Sequence, residues 1–397
     1  MSESQALVET EKPTRSIWFA FLIVALIFLL SASGGFVTHR ILARQQAEAA
    51  AEPMTVFWEA WEILEQVFYG QVPPAQQRTY GAIRGVFGLL DSHTIFLEPQ
   101  TGEVERDRLS GAYGGIGVDI WRDGEGNVRL SPYPESPAEE AGIEPRDRLV
   151  AIDGQAVVTE TIDEIRVQLR GEVGTEVTLT LERPPAPPFD LTLARQEIRI
   201  PSVTYRVLEQ SPTTGYLEIE SFTGRTPQET REALDALLGA GITELVLDLR
   251  DNGGGLIVPA TEVADLFLDE GVILYEIRQG GEEQLTHAER GGPATELPLV
   301  VLVNQSTASA AEIVAGAIQR LDRGALVGDS TYGKGSVQLI FSLSDGSSVH
   351  ITSAKWLLPD REPVEPHGLT PDIAISQLDD LTDTQLDRAL TYLESLE

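Results

Sequence analysis

The sequence predicts an α/β core of layered strands and helices, preceded by a small β-rich domain and a helical segment. Three patterns in the 397 residues carry that reading. From residue 185 onward, apolar β-branched runs alternate with helical patterns: GYLEIESF (215–222), TPQETREALDALLGAG, LVLDLR, PATEVADLFL, VILYEIR and LVVLV (Leu299–Val303). Such alternation implies a mixed sheet with layered helices. Residues 103–184 read as short strands broken by glycine turns, a small β-sandwich. Residues 55–102 place aromatic and aliphatic side chains at helical spacing, as in TVFWEAWEILEQVFYG. The length leaves room for two or three domains.

In chain order, residues 1–16 form a polar N-terminal tail. Residues 17–37 (IWFAFLIVALIFLLSASGGFV) carry no charge over 21 positions, enough to span a bilayer as an anchor. The small residues of SAS-GG also suit a cleaved signal segment. Lys12 and Arg15 on one side face Arg40 and Arg44 on the other, so positive charge does not set an orientation. Residues 38–54 form a helical or flexible stalk, and 55–102 the helical region, closed by YGAIRGVFGLLDSHTIFLEP. After the β-rich 103–184, PPAPPF (184–189) reads as a proline-rich kink before the core, 185–375. Residues 376–397 read as an acidic helical tail with a solvated face.

Two residues of the core stand out. Ser309 follows the strand Leu299–Val303 and the turn NQST, and it opens a helix (ASAAEIVAGAIQRL), with its hydroxyl near the positive helix end. Lys334 sits between Gly333 and Gly335, just before the strand-like SVQLIFSL. Each has a plain structural reading. Ser309 to Glu312 fits the capping box S-x-x-E, so Ser309 serves as an N-cap, and Lys334 is a turn lysine. Gly328 to Lys334 (GDSTYGK) also satisfies the G-x-x-x-x-G-K phosphate-loop pattern. Gly335 then stands where Ser or Thr would hold magnesium, and a strand follows where a helix is required, so a nucleotide site is rejected. The chemical reading is a serine–lysine dyad. A serine hydroxyl needs a base that is neutral near pH 7, and a lysine qualifies when desolvation lowers its pKa. An oxyanion site needs preorganised N–H donors. The Ala310 amide suits one, and the glycine-rich end of LVLDLRDNGGG suits another.

The runs LVLDLRDNGGG, VLVNQSTASAAEIVAGAIQ and VGDSTYGKGSVQ together resemble the carboxyl-terminal processing (tail-specific) protease family. The resemblance implies Ser309 as nucleophile, Lys334 as general base, Gln338 as the group orienting the lysine, and Gly254 and Ala310 as oxyanion donors. Gly253 departs from the family's usual proline. Thr307 and Ala311 also depart from its serine motif, at positions without a catalytic role. Tyr113-Gly114-Gly115-Ile116-Gly117-Val118 and SPAEEAGIEPRDRLVAIDGQAV resemble a PDZ domain inserted before the core. Consecutive glycine amides would take a terminal carboxylate, and an exposed strand edge would pair with an extended peptide. In that reading Gly114, Gly115, Ile116, Gly117 and Val118 form the binding loop and strand, while Ile162 and Ile165 supply the groove from the helix Thr161 to Arg170.

The resemblance implies a membrane-anchored, extracytoplasmic endopeptidase that acts without ATP or any cofactor on protein substrates with exposed C-terminal tails. The competing reading is an inactive membrane-tethered PDZ adaptor. Net charge is −33, from 62 acidic and 29 basic residues, which argues against nucleic acid and anionic membrane surfaces as partners. There are no cysteines, so no disulfide or thiolate site is available, and five scattered histidines show no metal-ligand spacing. Nothing in the residues sets the oligomeric state; a homo-oligomer is compatible with them.

Overall fold

A computed structural model describes residues 54–377 and 382–396. The expectations for residues 1–16 and 17–37, and for the stalk up to residue 53, lie outside these. No helix among the described residues is long and apolar enough to cross a membrane. The chain divides into a unit up to Thr79 and a unit from Tyr80 onward. In the first, residues 54–67 are helical. The Phe57, Trp58 and Trp61 rings meet edge-on or tilted there, and Arg78 pairs with Glu65 at 2.5 Å and lies 4.9 Å over Trp61.

The second unit is built on two sheets and a separate β domain. Its central sheet runs Val203–Leu208, Ser211–Ile219, Glu244–Asp248, Leu299–Val303, Ala325–Gly328 and Ile373–Ala374. Only the first pair is antiparallel. Leu299–Val303 and Glu244–Asp248 are buried at every position, because helices cover both faces of this parallel region. Helices Thr226–Gly239, Ile257–Asp265 and Ala310–Arg320 share one core with one face. Helix Thr384–Glu394 covers the other through Leu386, Ala389 and Leu393, against Val246, Val300 and Leu302. The C-terminal segment is therefore a structural layer and not a solvated tail, since one stripe of an acidic helix is apolar.

The second sheet is antiparallel: Ile95–Leu97, Ser348–Leu357, Val272–Arg278 and Glu283–His287, with Ser336–Ser342 also paired to Ser348–Leu357. Helix Ala310–Arg320 packs against this sheet as well as the central one, so it is buried all round from Ala310 to Ile318. Its small residues permit that. A side chain at Gly316 would meet Leu358 Cδ2 at 2.4 Å.

Two expected boundaries move. The region ending at residue 102 is not wholly helical, since Ile95–Leu97 joins the antiparallel sheet through Ser348–His350. Asp91 shapes its entry by accepting the His93 and Thr94 N–H groups at 2.8 and 2.7 Å. Helix Pro99–Ser110 then runs through the boundary at 103. At the far side, Phe189–Ala194 pairs with Glu176–Glu182. The prolines from 184 to 188 make a hairpin turn inside the β domain, whose sheet continues to Ala194.

Candidate active site

Strand Leu299–Val303 delivers the chain to the turn before Ser309, and this turn is stitched to the glycine-rich loop after strand Glu244–Asp248. Asn304 exchanges two hydrogen bonds of 3.0 Å with Asp251. The fully buried Thr307 donates its hydroxyl to the Leu249 carbonyl at 2.8 Å. The Ala308 N–H reaches the Asn252 carbonyl at 2.9 Å. Thr307, which departs from the resembled motif, is thus a stitch between the two loops.

Ser309 adopts φ 55° and ψ −116°, a backbone region that costs a non-glycine residue about 1–3 kcal/mol. Its hydroxyl makes no capping bond. The Glu312 N–H goes to the Ser309 carbonyl at 2.9 Å instead, while the Ser309 N–H donates to Glu312 Oε2 at 2.8 Å. The carboxylate half of the capping box is made by that bond, while the Glu312 N–H is committed to the Ser309 carbonyl and leaves the serine hydroxyl without a hydrogen bond of normal length among the described residues. The Ala310 N–H, at the first helical position, has no backbone acceptor among the described residues.

Gly254 lies directly against this turn. A Cβ there would stand 2.8 Å from Ala308 O, 2.9 Å from Ser309 Cβ and 3.0 Å from Ala310 N, at φ +99°. Gly254 and Ala310 are thus brought together beside Ser309 as expected. The Gly254 N–H, however, donates to Asn252 Oδ1 at 2.8 Å, and Asn252 is anchored by its Nδ2 on Ile219 O at 2.7 Å. Of the two expected oxyanion donors, only that of Ala310 is unengaged in this conformation.

Lys334 is carried by a loop running from Asp329 into strand Ser336–Ser342. Tyr332 N–H bonds the Thr307 carbonyl at 3.0 Å, which ties this loop to the serine turn. Gly333 has φ +89°, and a Cβ there would meet Gly368 N at 2.6 Å. Glu312 is the meeting point. Its Oε1 accepts from Thr331 Oγ1 (2.5 Å) and Gly333 N–H (2.7 Å), and its Oε2 accepts from Lys334 N–H at 2.9 Å as well as from Ser309. The buried Trp356 donates its indole N–H to the Lys334 carbonyl at 3.2 Å. Ser309 and Lys334 are therefore held together through their backbones. No hydrogen bond joins the serine hydroxyl to the lysine amine. Gln338 donates its amide N–H to Ser336 Oγ at 2.9 Å.

Burial lowers the Lys334 pKa, opposed by the negative charge of Glu105. His350 shares this field. Burial holds its pKa below the ordinary imidazole range, Glu105 opposes that shift, and Lys334 adds to it. Sequence reasoning took Glu312 only as half of a capping box and passed over Glu105, His350 and Trp356, whose approach depends on sheet pairing far along the chain.

In the β domain, Val118–Arg122 is an edge strand of the six-stranded sheet. A cavity of about 110 Å³ beside it is lined by Ile116, Gly117, Val118, Ile120, Leu169 and Arg166, with Tyr113 and Arg170 at its rim. The Ile116 and Gly117 N–H groups have no backbone acceptor among the described residues. Gly117 must be glycine, because a Cβ at its φ of +74° would meet Ser136 Cβ at 2.4 Å. Ile116, Gly117 and Val118 thus line this cavity, whereas Gly114, Gly115, Ile162 and Ile165 are not among its lining residues. Gly114 and Gly115 pair with Glu197 and Gln196. Ile165 is wholly in the domain core and Ile162 packs against it, so the helix turns Arg166 and Leu169 to the cavity. Arg170 stacks 4.3 Å over Tyr113 and pairs with Asp107 on helix Pro99–Ser110 at 2.9 Å.

Comparison with known proteins agrees with both parts. Residues 213–375 match peptidase family S41, and residues 128–183 match a PDZ domain. The carboxyl-terminal-processing protease of Synechocystis sp. is 35% identical over 381 residues, covering 92% of this chain and 89% of that protein. The carboxy-terminal processing protease CtpA of Bacillus subtilis is 32% identical over 383 residues, covering 95% and 81%. A solved photosystem II D1 C-terminal processing protease aligns at 31% identity over 84% of this chain and 90% of that one, with a TM-score of 0.48. An α/β core that carries a PDZ domain, with relatives of this identity along nearly its whole length, belongs to the carboxyl-terminal processing serine proteases of peptidase family S41.

Proposed function

We propose that the chain is a membrane-anchored, ATP-independent endopeptidase in which Ser309 is the nucleophile, Lys334 the general base and the PDZ groove the receptor for substrate tails. The observation that carries the dyad is the pairing of a strained Ser309 with an unspent hydroxyl and a half-buried, pKa-lowered Lys334 on an adjacent loop. The neutral lysine amine takes the serine proton as Oγ attacks the scissile carbonyl. The oxyanion receives the Ala310 N–H, and Gly254 joins once its N–H leaves Asn252 Oδ1. The lysine ammonium then protonates the departing amine, leaving an acyl-enzyme. Water, deprotonated by Lys334, releases the new carboxyl end and restores the serine.

The edge strand Val118–Arg122 suits addition of an extended peptide, and the Ile116 and Gly117 amides suit its terminal carboxylate. Residues 17–37 supply the anchor, and the catalytic part lies outside the cytoplasm. Independence from ATP is supported by the strand that follows Lys334, where a phosphate-binding loop needs a helix.

The test is the pH dependence of peptide turnover without nucleotide. Burial lowers the Lys334 pKa, so activity rises with pH through an apparent pKa below that of an ordinary lysine. Lys334→Arg is as inactive as Lys334→Ala, because a guanidinium keeps its proton. A flat profile with an active arginine variant contradicts the assignment.

A further inference from the structure

The mechanism above uses Ser309, Lys334 and backbone donors, and it leaves Glu312 without a task. A buried carboxylate ordinarily sits against a cation, because a charge taken out of water loses its hydration. Glu312 is fully buried. Its four hydrogen-bond partners are all neutral donors: the Ser309, Gly333 and Lys334 N–H groups and the Thr331 hydroxyl. Capping the helix accounts for one of these. The other three come from the loop that carries Lys334, between 19 and 22 residues further along.

The division between the two oxygens is informative. Oε1 takes Thr331 and Gly333, which shape the lysine loop. Oε2 is shared by the amides of Ser309 and Lys334 themselves, at 2.8 and 2.9 Å. Those two backbone nitrogens are therefore separated by no more than the sum of the two bonds. Trp356 fixes the Lys334 carbonyl from the other side. The Lys334 backbone is thus held at both its N–H and its carbonyl.

We propose that Glu312 is a positioning residue for the reaction, its carboxylate locking the serine turn and the lysine loop into one register. The inference rests on the Ser309–Lys334 reading of the site. A carboxylate suits the task because it only accepts, offering lone pairs to four donors at once. A glutamine of the same shape keeps one oxygen and turns an NH₂ group toward N–H donors, so it satisfies one pair and opposes the other. If Glu312 served folding alone, its loss would lower turnover only as far as it lowers the folded fraction.

The test compares the full-length wild type with Glu312→Gln, Thr331→Val and Ser309→Ala on one peptide, well below each melting temperature. In Glu312→Gln, kcat is expected to fall about 100-fold, the scale of an ångström-sized misplacement, with KM within about threefold of wild type. The acid limb of kcat/KM moves up toward the ordinary lysine range as the loop loses its buried position. Thr331→Val loosens Oε1 and leaves the Oε2 bridge, so its kcat falls between the two with a smaller rise of the limb. Wild-type kcat and an unmoved limb in Glu312→Gln overturn the proposal. So does a fall in both variants that merely follows the folded fraction. Should Glu312→Gln not fold, Thr331→Val decides alone: a lowered kcat with a raised limb supports the lock, and an unchanged pair overturns it. Turnover surviving in Ser309→Ala removes the dyad reading and this proposal with it. An inactive Ser309→Ala beside a fully active Glu312→Gln removes only the role of Glu312.

Discussion

Ser309 holds a backbone conformation that suits glycine far better than serine, with φ 55° and ψ −116°. Glycine would relax the turn, yet only serine brings a hydroxyl to it. This gives a prediction in which stability and activity part. Ser309→Gly and Ser309→Ala are both inactive, but the glycine variant is the more stable by about 1–3 kcal/mol, the cost of a residue strained in this way. Chemical denaturation of the two variants measures the difference. Equal stability would mean that the turn is not strained. The placement of Ser309 and Lys334 was legible in the sequence, because a strand, a helix start and a glycine-flanked loop are local patterns. The contacts of Glu312 with the lysine loop were not, since S-x-x-E describes a cap equally well and burial is not written in four residues. Gln338, which the resemblance implies as the group orienting the lysine, donates its amide N–H to Ser336 Oγ.

Elements separate the two neighbouring glycines of the loop after strand Glu244–Asp248. Gly254 has φ +99° and no room for a Cβ, whereas Gly253 lacks a positive φ and has open space around it. Gly254→Ala should cost about 1–3 kcal/mol from backbone strain alone and should push Ala308 and Ser309 out of place, with loss of turnover. Gly253→Ala should stay within about 0.5 kcal/mol of wild type. Melting curves and peptide turnover check the pair, and a Gly254→Ala protein with wild-type behaviour contradicts the packing. The alternation of strands and helices in the core was readable because period and length distinguish the elements. The faces they present were harder to read. Ile162 and Ile165 sit on the apolar side of their helix, but that side faces the domain core, while Arg166 and Leu169 line the groove. The C-terminal helix looked solvated by its acidic composition, although Leu386, Ala389 and Leu393 cover the central sheet. Which stripe meets which sheet is decided by residues far away in sequence.

At the scale of the whole molecule, the PDZ domain and the core are joined through helix Pro99–Ser110. Asp107 on that helix pairs with Arg170, which lines the cavity beside Val118–Arg122. Two residues earlier, Glu105 sets its charge against Lys334. The cavity beside Val118–Arg122 and Lys334 therefore both meet one helix. The reading as a tail-specific serine endopeptidase is tested most directly by cleavage of one peptide prepared with a free C-terminal carboxylate and with a C-terminal amide, by the full-length wild type and Ser309→Ala. A charge-assisted hydrogen bond contributes about 1.5–3 kcal/mol, so the wild type should cleave the free acid roughly tenfold or more faster, and Ser309→Ala should cleave neither. Equal cleavage of acid and amide by the wild type, or turnover surviving in Ser309→Ala, would contradict it.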